Sequence, residues 1–159
     1  MEDHANHAHH KGGSRPYVML AVNLGLSLLV MYLAMFAMIW TWGEFIQNIN
    51  FFYMALVMWA PMGAIMLATM GGMYRNRKLN AALYLAFAAI FVLSLLGIRQ
   101  QSLVGDDQFL RSMIPHHSGA ILMCEEAKLT DPELRRLCGE IIRAQKQEID
   151  QMKRIMARL

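Results

Sequence analysis

Three apolar stretches constrain this chain more than any other feature: residues 17–42, 51–70 and 79–98 are almost free of charged side chains. At 1.5 Å per residue, each is long enough as a helix to cross a hydrocarbon core of about 30 Å. Glu44, in the first connection, is the only acidic residue near them. With 56% hydrophobic residues the chain is more apolar than an ordinary soluble domain needs to be, and the excess lies before Ile98. The first stretch is too long for the core of a cleaved signal peptide and holds no small-residue cleavage site, so it reads as a retained signal anchor. The sequence therefore predicts an all-α protein with a transmembrane region over residues 17–98, set in a lipid bilayer.

Charge placement predicts the orientation. Lys11 and Arg15 precede the first stretch, the first connection has no Lys or Arg, and the second carries Arg75, Arg77 and Lys78. The positive-inside rule puts both basic flanks in the cytoplasm, and three crossings then leave residues 99–159 outside it, in the periplasm of a didermic bacterium. The expected location is the bacterial cytoplasmic (inner) membrane. Arg99 and the other basic residues of the last segment run against the rule, but acidic residues nearly balance them. The net charge of +3 is small, and no nucleic-acid partner is expected.

Residues 1–16 form a polar tail with His4, His7, His9 and His10 and too few apolar residues to fold alone. Its imidazoles suit a secondary divalent-metal site, and a solvated leader equally well. In the second stretch Met54, Met58, Met62, Met66 and Met70 recur every four residues, offset by two from Ala60, Ala64, Ala68 and Gly72. That offset places the two series on opposite helix faces, and the small residues are expected to pack on another span. The Met series would then face Met31, Met35 and Met38 of the first span. Thioethers suit Cu(I), but Met is also a flexible apolar filler; with no His or Cys in the spans, packing is favoured over conduction.

Beyond the spans, Gly105, Asp106 and Asp107 open a fourth helix, with Phe109, Leu110, Met113, Ile114, His117, Ala120, Ile121 and Cys124 along one face. Thr130 and Glu133 form a capping box for a fifth, with Pro132 in its first turn and Leu129 and Leu134 as its hydrophobic staple. So short a turn makes the two an antiparallel hairpin, and a lone hairpin buries too little surface to be stable. A homodimer, in which two hairpins make a four-helix bundle, is the economical remedy.

Equal steps backward and forward from the turn set His116 opposite Gln145, Met113 opposite Glu148 and Phe109 opposite Met152, which brings Met113, His116 and His117 near the depth of Gln145, Glu148 and Met152. Met113 lies one turn before both histidines and can share a metal with either, whereas adjacent histidines point about 100° apart and do not easily reach one ion. The same spacing suits surface or dimer-contact histidines hydrogen-bonded to Gln145 and Glu148. A zinc enzyme is disfavoured, since three hard or borderline ligands with a poised water are not evident, and the Glu-x-x-His pairs of di-iron bundles are absent. Cys124 and Cys138 also share a layer. In an oxidising compartment a bridge between them would close a loop of about 15 residues and add ~3 kcal/mol. Alternatively they are thiolate ligands; the expected compartment favours the bridge.

The run from Asp107 through Met113, Ile114, Pro115, His116 and His117 to Met123, followed by Gln145, Glu148, Ile149 and Met152, resembles the bacterial family known as domain of unknown function 305. The resemblance covers residues 106–156 and implies a ferritin-like helical bundle. Some members of that family are periplasmic copper-binding proteins, which implies Met113, His116, His117, Met123 and Met152 as ligands here; Glu148 joins them by its layer. Single-domain members often carry tandem copies, whereas this chain has one copy behind three spans.

The leading expectation is a non-enzymatic, membrane-anchored protein that holds Cu(I) for copper tolerance or delivery. Its rivals are a dimerising interaction module without metal and a metalloenzyme such as a cuprous oxidase. For the enzyme the sequence offers no separate acid, base or nucleophile constellation.

Overall fold

The computed structural model describes residues 15–159, and His4, His7, His9 and His10 lie outside the described residues. All regular structure among the described residues is helical: α1 Arg15–Ala34, α2 Ile49–Thr69, α3 Arg77–Gln100, α4 Asp106–Glu126 and α5 Pro132–Met156, with short 3-10 turns at Met35–Met38 and Trp42–Glu44. Three segments, Arg15–Met38, Ile49–Thr69 and Arg77–Gln100, are long and apolar enough to cross a membrane.

Short polar side chains cap α2, α3 and α5, whereas α4 starts at Gly105 without a side-chain cap. Asn48 Oδ1 accepts the Phe51 amide at the head of α2, and Asn76 Oδ1 accepts that of Leu79 at the head of α3. α5 begins one residue later than its capping box predicts. Asp131, not Thr130, accepts the Glu133 and Leu134 amides, because Pro132 stands at the first helical position, where no N–H is needed.

The spans share a core of Leu20, Leu24, Ala60, Leu67, Tyr74 and Phe87. Trp59 Nε1 ties α2 to α1 by donating to the Leu24 carbonyl at 2.7 Å. Their outer faces, with Val30, Ile65, Leu85 and Leu93, stay uncovered, as a lipid-facing surface requires. Neither four-residue series of α2 keeps to one environment. Met62 and Met66 pack against the core while Met54, Met58 and Met70 are exposed; Ala60 is buried while Ala68 and Gly72 are not. At 3.6 residues per turn, each step of four overshoots by about 40°, so five such residues spread across roughly 160° of the helix.

At Gly63 the spans pack closely. A Cβ there would lie 2.7 Å from the Phe87 ring and 3.2 Å from Leu24 Cδ2. Gly63→Ala should therefore cost about 1–3 kcal/mol of stability in detergent. Gly25→Ala, whose Cβ would meet nothing within 4 Å, is the control expected to melt no lower than wild type.

The first span departs from the predicted 17–42. The helix ends at Ala34, the 3-10 turn follows, and from Ile39 the chain turns extended and lies on the hairpin. Trp40 and Ile46 pack there into a second core with Leu110, Ile114, Ile121, Ile149 and Met152. The hairpin is thus not alone: the first connection supplies a third layer. That layer claims the Ser112, Pro115 and Gly119 side of α4, which is buried, and a Cβ on Gly119 would meet the Met38 carbonyl oxygen at 3.3 Å. The buried face of α4 is rotated accordingly, and Phe109, expected inside, is 50% exposed.

Candidate metal centre

α4 and α5 run antiparallel, which sets the polar side chains of one helix beside those of the other. His117 Nδ1 lies 2.9 Å from Glu148 Oε2. The nitrogen is withdrawn from solvent and lacks an aligned hydrogen bond, while Gln145 Nε2 donates to that same carboxylate oxygen at 3.3 Å. At that separation the imidazole nitrogen and the carboxylate oxygen can share a proton, or could together hold a cation. Met113 and Met152 lie in the adjoining apolar cluster, Met152 buried and Met113 half-buried.

The remaining candidates sit differently. His116 is exposed, its ring centroid 6.1 Å from that of His117, as expected for neighbours on a helix. Met123 is 54% exposed and lies six residues, about 9 Å, further along α4. Cys124 and Cys138 are joined as a disulfide with Cα atoms 5.3 Å apart, so neither offers a thiolate. Among the described residues no three His, Cys, Asp or Glu side chains gather to hold a metal ion. A closed site of hard or borderline ligands is therefore not formed. Met113 and Met152, in the neighbouring cluster, are soft thioether donors of a kind that suits Cu(I) rather than Zn²⁺.

Directly after His117, Ser118 joins the helix to the first connection. Its Oγ accepts from the Trp40 amide at 2.5 Å and donates to Glu44 Oε2 at 2.7 Å. Glu44 is 3% exposed, accepts from the Thr41 amide at 3.1 Å, and meets Lys153 Nζ of α5 at 3.3 Å. Burial pushes its carboxyl up, but the hydrogen bonds from Ser118, Thr41 and Lys153 outweigh that and hold it below the ordinary carboxylate value. Above it, Trp40 Nε1 donates to Glu125 Oε2 at 2.6 Å, and Lys146 lies 4.1 Å from the Trp40 ring while pairing with Glu125. Sequence reasoning missed Trp40, Glu44 and Ser118 as parts of this body. The signal was a connection rich in Trp, Phe and Ile around a single acid, too apolar for a solvated loop.

Comparison with known proteins widens the family resemblance. Residues 60–156 match the family described as "Domain of unknown function (DUF305)", so the matching stretch reaches from the middle of α2 to the end of α5. The chain is also similar to the "Uncharacterized protein L153" of Acanthamoeba polyphaga mimivirus, 30% identical over 116 residues, which cover 72% of this chain and 74% of that protein. No solved structure matches.

Proposed function

The chain belongs to the family described as Domain of unknown function (DUF305), and we propose that it acts there as a membrane-anchored, non-enzymatic Cu(I)-binding protein in copper sequestration or delivery. The observation that carries this is the water-shielded His117 Nδ1 set 2.9 Å from the Glu148 carboxylate without an aligned hydrogen bond, with the thioethers of Met113 and Met152 in the adjoining cluster of the same hairpin. Soft sulfur with imidazole nitrogen is a donor set for cuprous ion, and Glu148, half exposed, opens it to solvent. The hairpin lies outside the cytoplasm in this reading, which the basic flanks and the Cys124–Cys138 disulfide both support. The metal is cargo rather than a catalyst.

The full chain in detergent micelles should compete for Cu(I) with a colorimetric chelator. His117→Ala should weaken it at least tenfold, about 1.4 kcal/mol, and His116→Ala much less. Unchanged affinity in the double variant would falsify the assignment. Met58, Met62 and Met66 replaced together by Leu should leave copper tolerance of the host unchanged, since these residues serve packing and the lipid surface; a loss would make them a route for the ion.

A second reading, a dimerising module without metal, is favoured by the uncovered Phe109, Met123, Leu134 and Leu137 on the hairpin. It predicts identical melting with and without a Cu(I) chelator, whereas a bound ion raises the midpoint.

A further inference from the structure

A cavity of about 910 Å³ opens where the membrane spans meet the hairpin. One wall is apolar and belongs to the span region: Gly25, Leu28 and Leu29 of α1 and Phe52 of α2. The other end is polar and belongs to the hairpin side, with Gln108 and Arg111 of α4. We propose that this groove binds one membrane phospholipid, its acyl chain along α1 and its phosphate on Arg111.

The lining is itself amphiphilic along one axis, apolar beside the segment that crosses the membrane and cationic at the level where headgroups lie. The pair with Asp107, at 2.6 Å, uses only Nε of Arg111, which leaves the terminal amino groups of the guanidinium to fork onto a phosphate. Gln108 gives its carbonyl oxygen to the Ile49 amide, so its NH₂ remains a second donor beside the same headgroup. Gly25 leaves the groove open: a Cβ there would meet nothing within 4 Å, although Gly in a helix interior costs about 0.5–1 kcal/mol relative to Ala. Leu103, at the rim, holds a left-handed φ of 62° and is 81% exposed. An apolar side chain so exposed at the rim gains by contact with hydrocarbon. The inference depends on the spans lying in a bilayer and is independent of metal binding.

Native mass spectrometry of the full chain, extracted from vesicles of phosphatidylethanolamine and phosphatidylglycerol, tests it. Wild type should retain one phospholipid per chain through detergent exchange. Gly25→Trp, which fills the groove, should cut the retained fraction at least fivefold, and Arg111→Gln at least threefold. Leu85→Trp, on the exposed face of α3, should leave it unchanged. Should Gly25→Trp fail to fold, Leu29→Trp fills the same groove from an exposed position. Equal retention in wild type and the groove variants would overturn the proposal. So would equal loss in Leu85→Trp, or a doubled mass in wild type that Gly25→Trp abolishes, which would make the occupant a second copy.

Discussion

Glu44→Ala is expected to weaken the body formed by α4, α5 and the first connection by about 3 kcal/mol while leaving the span core intact. The carboxylate is the common acceptor for Ser118, the Thr41 amide and Lys153; its loss leaves the buried Ser118 O–H without an acceptor, though its oxygen still accepts from Trp40, and the Thr41 N–H without its partner. Hydrogen exchange should rise across α4 and α5 and stay unchanged in the middle of α2; equal exchange everywhere would mean that the connection holds nothing in place. Glu44→Gln keeps the shape and should cost less. It also separates the charge from the packing. The Glu44 carboxyl is depressed in the folded protein, so its contribution is fully present above the unfolded-state value and is lost as pH falls through the folded one. Wild type should therefore keep its advantage over Glu44→Gln from neutrality down to the ordinary carboxylate range and lose it below that range.

Removing the bridge with Cys124→Ser and Cys138→Ser together should cost a comparable ~3 kcal/mol, the loop-closure entropy of about 15 residues. The cysteines stand 14 positions apart and clamp the ends of α4 and α5 nearest their turn, so the loss should be confined to the hairpin. Melting midpoints with and without reductant would show it. The same experiment tests the alternative role of these sulfurs. Cu(I) affinity should not change on reduction, because His117 lies seven residues, about 10 Å, from Cys124. A rise would reassign the cysteines as ligands.

Much of this architecture was legible in the sequence for definite reasons. The spans announce themselves because lipid tolerates few charges, and only their ends needed the structure. The hairpin follows from apolar spacing and from Pro132, though the cap fell to Asp131 rather than Thr130. Layer counting gathered the histidines and Glu148 into one polar cluster but set Glu148 opposite Met113, about one helical turn from His117, its neighbour in the structure. What escaped was nonlocal. Residues 39–48 have no helical period, so nothing in their order revealed that they would fold onto a helix some 75 positions later. That omission also displaced Phe109, since the face of α4 that turns inward depends on what lies on each side of it.

The order of synthesis gives the Glu44 contacts another meaning. Ser118 and Lys153 leave the ribosome 74 and 109 positions after Glu44, and both further spans come between. Trp40, Glu44 and Ile46 must therefore wait, without their eventual partners, while α2 and α3 are inserted. The body of α4, α5 and the first connection can close only once the last helix has been made. A chain arrested after its third span would display a hydrophobic loop with an unpaired acid, the kind of surface that quality-control proteases and chaperones detect.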